Sequence, residues 1–455
     1  MDEIREEIEN QTTQLADLVA NQRLVEFKEA FLELHSYEQA QIYYDLAPET
    51  RHVVIGILTD DELAEVFDAL EEEPAAISEL LEEMSPRHAT HILNKMFTDN
   101  VADILGEMDA DEVATYLSLM PKDDANELRQ LIEYDDETAG ALLATEYLAI
   151  DPNYTVGEAM QYVKKEANEA ETIFYLYVVD EAEQLVGVVS LRDLLTHPDA
   201  LPITEITNTR VIAAHPADDQ EDVAMTMRDY DFMALPVTDH ANHMIGIITI
   251  DDIVDVIDEE AASDYSGLAG VDVEIVDISP LAAAKKRLPW LIALLFLGMS
   301  TASLISHYEA LVSQAAILAV FISLITGTAG NAGTQSLAVA VRKIALNEEN
   351  PLWKVILTEI TIGLLIGVIT GVTIFLIVGF WKANWFLGLA IGISMMAAIT
   401  VANLAGSLIP MGMNKIGVDP AVASGPFIST LSDLTSVLIY FSIAQIFLSN
   451  FVNQH

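Results

Sequence analysis

Hydrophobic positions change their spacing along this chain, and each change marks a region. Residues 1 to about 145 carry them at helical intervals, as in Val53-Val54-Ile57-Leu58 and Ala89-Ile92-Leu93. That spacing predicts short amphipathic helices. Leu46-Ala47-Pro48-Glu49, Met84-Ser85-Pro86-Arg87, Met108-Asp109-Ala110-Asp111 and Met120-Pro121-Lys122-Asp123 each place a turn or capping residue ahead of such a run. Helix pairs repeated in this way stack into a superhelical domain. From about 146 to 258 strand alternates with helix, and the segment is doubled. Gly187-Val188-Val189-Ser190-Leu191-Arg192-Asp193 returns 59 residues later as Gly246-Ile247-Ile248-Thr249-Ile250-Asp251-Asp252. A helical stretch from Asp251, expected to end near Asp272, then leads to five apolar spans: Leu288–Val312, Ala315–Val341, Trp353–Trp381, Trp385–Ile409 and Ala421–Asn450. Each is long enough, at ~1.5 Å per residue, to cross a ~30 Å hydrocarbon core.

Charge divides the 455 residues sharply. Six acids and eight Lys/Arg lie beyond Leu281, against totals of 71 and 21, so the first 280 residues carry −52 and the rest +2. So acidic a soluble region gathers cations and excludes nucleic acid and anionic membrane surfaces as partners. General salt adaptation is the other source of such acidity. Seven acids fall within the fourteen residues Asp251 to Asp264, with no Lys or Arg to pair them. Lys285, Lys286, Arg287, Arg342, Lys343, Lys354 and Lys415 fall in alternate loops, against Lys382 alone on the other side. This bias puts the N-terminal 280 residues in the cytoplasm and the C-terminus outside a cell membrane. The start lacks the basic and apolar regions of a signal peptide, and without Cys no disulfide contributes.

One carboxylate, Asp433, lies well inside the last span. Ser429, Asp433, Ser436 and Tyr440 are spaced 4, 3 and 4 apart and share a helix face. An ion at that depth costs at least ~2.5–3.5 kcal/mol, so it faces water, a partner or an ion path. A protonated Asp hydrogen-bonded between helices is the alternative. In the second span Thr328, Asn331 and Gln335 share a face, and Gly327, Gly330 and Gly333 allow close backbone approach. They serve either as helix glue or as the wall of a pore. Glu359, one turn into the third span, is placed to snorkel toward the cytoplasmic interface.

An apolar strand, a Ser/Thr cap and an Asp three positions on resembles a cystathionine-β-synthase (CBS) domain, here twice in register. In such pairs the terminal Asp can hold a ribose diol; an Asp that only charges a helix's first turn is the alternative. With Gly330-Asn331-Ala332-Gly333-Thr334-Gln335-Ser336, Asp419-Pro420-Ala421-Val422-Ala423-Ser424, Thr430-Leu431-Ser432-Asp433 and Tyr134-Asp135-Asp136-Glu137-Thr138-Ala139-Gly140, nearly the whole chain resembles the MgtE family of magnesium channels. The resemblance implies a multidomain membrane protein. Its parts are an all-α superhelical N domain (1–145), an α/β tandem CBS pair (146–258), a linking or plug helix (252–280) and a five-helix transmembrane domain (281–455). It further implies a homodimer whose pore, walled by the second and fifth spans, holds hydrated Mg²⁺ at Asp433 and its symmetry mate. Matching motifs assign cytoplasmic Mg²⁺ sites to Glu65, Asp99, Asp103, Glu221, Asp231, Asp252, Asp255, Glu260 and Asp264. Ser263 stands where relatives often have a carboxylate. An ATP site would use Tyr175, Arg192, Asp193 and Phe232.

The expected function is Mg²⁺ uptake down the electrochemical gradient, closed by internal Mg²⁺ that docks the acidic domains. A wide polar pore with one Asp per subunit suits an ion that keeps its waters. An anion channel conflicts with a pore lined by Asp433 and with spans that hold no buried Lys or Arg. A carrier or exporter of Mg²⁺, Co²⁺ or Mn²⁺ is the main rival, although no Gly-x-x-x-x-Gly-Lys-Ser/Thr motif supplies an ATPase. No nucleophile–base pair suggests an enzyme.

Overall fold

The structure is a computed structural model and describes residues 2–70, 74–271, 279–346, 351–416, 420 and 423–452. The chain divides into two compact units, Met1–Ile257 and Asp258–His455. The first unit opens with helices α1 (Asp2–Ala20), α2 (Leu24–Leu32), α3 (Ser36–Asp45), α4 (Pro48–Val54), α5 (Asp60–Asp68), α6 (Pro74–Glu82), α7 (Pro86–Leu93), α8 (Thr98–Gly106), α9 (Ala110–Leu119) and α10 (Lys122–Leu131). Helices α4, α7, α9 and α10 begin where the turn and capping residues place them. Pro48 and Pro86 sit at the first helical position, where a missing N–H leaves no intrahelical bond unmade. Thr59 accepts from the Glu62 amide at 3.2 Å while Glu62 Oε2 accepts from the Thr59 amide at 2.8 Å, which fixes the start of α5. Glu62 also pairs with Lys28 at 2.6 Å, tying α5 to α2. The apolar faces meet in a core where Phe27, Phe31, Tyr43, Leu63, Phe67, Leu81 and Ile92 are fully buried. Each such side chain contributes roughly 1.5–3 kcal/mol.

The doubled segment folds as β1 (Ala149–Ile150), α11 (Val156–Glu166), β2 (Tyr175–Val179), β3 (Leu185–Ser190), α12 (Leu191–Thr196), α13 (Gln220–Tyr230), β4 (Ala234–Thr238) and β5 (Met244–Thr249). The two hairpins are copies in register. Tyr175 opposes Ser190 in β2–β3, and Ala234 opposes Thr249 in β4–β5. Each hairpin has a bulge at the same place, after Val178 and after Val237. The halves are stitched symmetrically: the Leu185 amide donates to Asn242 O at 3.0 Å and the Met244 amide to Glu183 O at 3.2 Å. Gly246 is required for one crossing, because a Cβ there would stand 2.5 Å from Ala144 O.

Helix α14 (Ile250–Ala269) follows β5 without a loop and runs into the second unit. Gly270, at φ +67°, closes it in a left-handed turn, with the Val271 amide donating to Ser266 O at 3.1 Å. It therefore stops short of the expected end near Asp272, which lies outside the described residues. The second unit continues with α15 (Pro280–His307), α16 (Glu309–Gln314), α17 (Ala319–Ala345), α18 (Leu352–Lys382), α19 (Trp385–Lys415) and α20 (Gly425–Val452). Five of these, α15 and α17 to α20, are long and apolar enough to span a membrane. Their ends differ from the expected spans: α15 starts at Pro280 and stops at His307, α19 runs on to Lys415, and α20 starts at Gly425. Hydropathy marks the apolar band, whereas helices extend past it as far as their backbone bonds allow.

Helix α19 is the centre of this unit. Over half of its apolar window is buried (56%), against none for α15. Glycines set the spacing around it. A Cβ on Gly406 would stand 2.2 Å from Gly333 O, so α17 and α19 touch backbone to backbone.

Candidate functional site

Asp433 sits in the third turn of α20, half-buried, and its carboxylate has no hydrogen bond or ion pair among the described residues. Ser429, one turn earlier, is also half-buried and lies against α17, where a Cβ on Gly330 would come within 2.9 Å of its Oγ. Gly333 packs likewise on Ser432 Oγ. Gly330 and Gly333 thus serve packing, whereas Gly327, expected to allow the same approach, is exposed and a Cβ there would meet nothing within 4 Å; Asn331 and Gln335 are exposed. Thr328, on the same side, is partly exposed and donates Oγ1 to Leu324 O at 2.7 Å. Two exposed amides and an unpaired carboxylate at membrane depth require water or a second chain.

Ser436 corrects the expected stripe: it is 0% exposed within its own chain, and Tyr440 donates its hydroxyl to Leu318 O at 2.9 Å. The cause is the connection before α17. Tyr308 stacks on Phe441 with ring centroids 5.0 Å apart, and the turn Ala316–Leu318 covers the later half of that face. The open part of the stripe therefore ends at Asp433. Asp419, Ala421 and Val422 of the matching motif lie outside the described residues.

Glu359 does not snorkel. It is 5% exposed, and its Oε2 accepts from Asn403 Nδ2 at 2.6 Å and Ser336 Oγ at 3.2 Å. Three helices, α17, α18 and α19, meet at this carboxylate.

In the first unit a second group of acids gathers between α5, α8 and the CBS pair. Asp99, 7% exposed, is the centre; burial and then the charges of Asp252 and Glu171 push its pKa well above the ordinary range. Burial likewise raises Asp252 to about 6, Asp68 to about 7 and Glu171 to about 8, with neighbouring carboxylates adding to each. Glu146 is raised by burial too, although Thr98 Oγ1 donates to it at 3.0 Å. Asp68 accepts from the Phe97 amide and from Asn100 Nδ2, both at 3.1 Å. Glu171 Oε2 is buried with no hydrogen-bond partner. Among the described residues no Lys or Arg forms an ion pair with any of these five. Nor do three described carboxylates converge as a closed ligand shell.

Of the expected sensor residues, the structure brings Asp99 and Asp252 together. Asp68, Glu146 and Glu171 join them unannounced; Asp68 lies one turn beyond Glu65, the only sequence cue. Glu65 is exposed on α5 and adds to the repulsion at Asp68; Asp103 is exposed one turn past Asp99. Glu221 begins α13 and Asp231 ends it in a left-handed conformation, φ 55°. Ten residues of rise separate these two by roughly 15 Å, so within one chain they cannot share an ion. Asp255, Glu260 and Asp264 follow one another along α14, with Ser263 exposed between the last two.

Both terminal Asp residues of the repeats cap their helices. Ser190 Oγ donates to Asp193 Oδ2 and Thr249 Oγ1 to Asp252 Oδ2, each at 2.5 Å. Arg192 is exposed, Tyr175 is half-buried at the start of β2, and Phe232 stacks on Tyr230 at 5.4 Å.

Three family models match the chain: MgtE intracellular N domain over 34–137, CBS domain over 139–199 and 203–259, and MgtE, described as a divalent cation transporter, over 322–443. Magnesium transporter MgtE of Enterococcus faecalis is 61% identical over 98% of this chain and 99% of that protein. Magnesium transporter MgtE of Bacillus subtilis is 36% identical, covering 95% and 96% respectively. The crystal structure of the soluble part of a magnesium transporter matches 56% of this chain and 100% of its own, at 48% identity and a TM-score of 0.55.

Proposed function

Because the chain belongs to the MgtE family of magnesium transporters, we propose that it is a channel admitting Mg²⁺ and closed by Mg²⁺ from the cytoplasmic side. The observation that carries the pore is Asp433: a carboxylate without a hydrogen-bond or ion-pair partner among the described residues, in the unit that also exposes Asn331 and Gln335. Two copies facing each other across a twofold axis would supply water-bridged ligands on both sides of one ion. Mg²⁺ sheds water reluctantly and is held by one or two carboxylates, so Asp433, Ser429, Asn331, Gln335 and Thr328 need only contact its hydration shell. Helix α15, unburied in the single chain, is the element most in need of a second copy. Entry needs no coupled energy source, since a divalent ion gains ~4.6 kcal/mol per 100 mV of inside-negative potential.

Closure rests on the group of acids around Asp99, which is buried while the other four are half-buried. Asp68, Asp99, Glu146, Glu171 and Asp252 repel one another, with no Lys or Arg paired to them among the described residues, and a buried charge left unpaired, as at Asp99, is strongly destabilising. Hydrated Mg²⁺ among them favours the docked arrangement, and the motif-matched acids Glu65, Asp103, Glu221, Asp231, Asp255, Glu260 and Asp264, exposed or half-buried, are the further candidate sites. A ligand that binds the docked state better shifts the population toward it. An adenine nucleotide is a candidate regulator of the CBS pair: Tyr175 and Phe232 offer ring faces, Arg192 a guanidinium, and Asp193 the oxygen its cap leaves over.

Uptake into liposomes holding the full chain tests this reading. Wild type should pass Mg²⁺, and lose the flux as Mg²⁺ rises on the cytoplasmic side. Asp433→Ala should lower the flux about 10–100-fold, from the ~1.5–3 kcal/mol of hydrogen bonds to a charged group. Unchanged flux in that variant refutes the pore; flux that requires a Na⁺ or H⁺ gradient, or that favours Co²⁺ or Mn²⁺, replaces the channel by a carrier.

A further inference from the structure

At the cytoplasmic end of the membrane-spanning unit, a cavity of about 190 Å³ opens between α17, α18 and α19. Lys343 in the last turn of α17 and Lys354 in the first turn of α18 line it, with Ser407 and Glu359 buried and Thr358, Ile344 and Val355 completing the wall. Its volume far exceeds the ~10–15 Å³ that one water needs. Among the described residues neither lysine is in an ion pair, and Glu359 is occupied by Ser336 and Asn403. Among the described lining residues two ammonium groups face one carboxylate, a net charge of +1; Glu348 and Glu349 of the connection between the lysines lie outside the described residues. The N-terminal end of α18 adds to that field.

Depth and surroundings say which anion belongs there. Trp353, beside Lys354, is 62% exposed at the start of α18, and an exposed Trp at a span end marks the headgroup level. From the cavity α18 leads into the membrane with Leu357, Leu364 and Leu365 exposed, a track for acyl chains. We propose that this cavity binds the headgroup of an anionic phospholipid, its phosphodiester between Lys343 and Lys354 and its chains along the outer face of α18. Basic pockets between helices on the cytoplasmic side suit such headgroups. The site is separate from the ion path and stands whether or not Mg²⁺ is the ion carried.

The test uses the purified full chain in detergent and its thermal midpoint. Added dioleoylphosphatidylglycerol should raise the midpoint by about 3 °C at saturation, and dioleoylphosphatidylcholine or inorganic phosphate should not. Lys343→Gln with Lys354→Gln should abolish the shift, and Lys→Arg at both positions should keep it. Lys382→Gln, which removes a charge at the opposite end of α18, should also keep it. If the Gln pair fails to fold, phosphatidylglycerol retained per chain after gel filtration compares wild type with Lys343→Gln alone. An equal shift in the Gln pair, an equal response to phosphatidylcholine or phosphate, or equal retention by Lys343→Gln overturns the site.

Discussion

Glu359 and Asp433 are both carboxylates inside the spanning helices, and their partners separate their roles. Glu359 accepts from Ser336 and Asn403 and is buried, so it holds α17, α18 and α19 in register. Asp433 has no such partner among the described residues. Replacing Asn403 by Leu leaves Glu359 buried without its shorter hydrogen bond, a loss of ~1–3 kcal/mol. A thermal midpoint equal to wild type in that variant would show the tie to be idle. The acids around Asp99 in the first unit make a pH prediction with a definite sign. Asp252, Asp68 and Glu171 have pKa values of about 6, 7 and 8, above their ordinary values of 3.8, 3.8 and 4.5. Stability from the protonated forms is therefore full below pH ~4 and is lost as pH rises through about 6 to 8. In metal-free buffer the calorimetric transition of the first unit should fall over that window, and Mg²⁺ should restore it at pH 8. A transition rising with pH, or indifferent to Mg²⁺, contradicts the sensor. Asp433 was legible in the sequence because an acid in an apolar span stands out. The bond partners of Glu359 were not, since they lie 23 and 44 residues away and no local pattern pairs them.

Among the elements, several helix starts of the first domain could be read directly, because Pro48 and Pro86 occupy the first helical position and Ser85 accepts from the His88 amide, each acting on the helix that follows; Asp109 precedes α9 without a side-chain cap. The CBS repeats were equally plain, since register repeats at a fixed 59-residue offset in both hairpins. The outer half of α20 was misread because its cover comes from Tyr308 and the turn at Ala316–Leu318, a contact more than 120 residues away. Helix α14 carries a consequence for gating. Its closing residue, Gly270, is left-handed, and a Cβ there would stand 2.6 Å from Trp290 Nε1 and 3.3 Å from Ser424 Oγ. The end of the linking helix thus rests on α15 and on the residue before α20. Gly270→Ala imposes a φ that costs roughly 1 kcal/mol or more and pushes against the indole. The half-point for closure by cytoplasmic Mg²⁺ should rise several-fold, with flux at low Mg²⁺ unchanged. A closing curve identical to wild type would mean that this contact does not hold the shut state.

For the whole molecule the decisive contrast is between an N-terminal part at −52 and a membrane part at +2. In the proposed reading the first answers to cations, and the second to whatever fills its exposed polar wall. That wall belongs to one chain only in part. The amides of Asn331 and Gln335 face outward from the bundle, yet so do the leucines of α18, so exposure alone does not tell a pore from a lipid face. Chemistry does: lipid tolerates Leu365 and Phe380, whereas it leaves the hydrogen-bonding capacity of an amide unmet. The absence of Cys from the 455 residues makes the distinction measurable without removing any native thiol. Asn331→Cys in native membranes should be joined to a second chain by a short bifunctional maleimide, because the proposed axis runs beside that position. Phe380→Cys, 76% exposed on α18, should react with a monofunctional maleimide but remain single. Raising Mg²⁺ on the cytoplasmic side should leave the first cross-link in place, since the sensor moves the linking helices and not the axis. Failure of Asn331→Cys to cross-link, or equal cross-linking of Phe380→Cys, would place the two copies on other faces and remove the twofold pore.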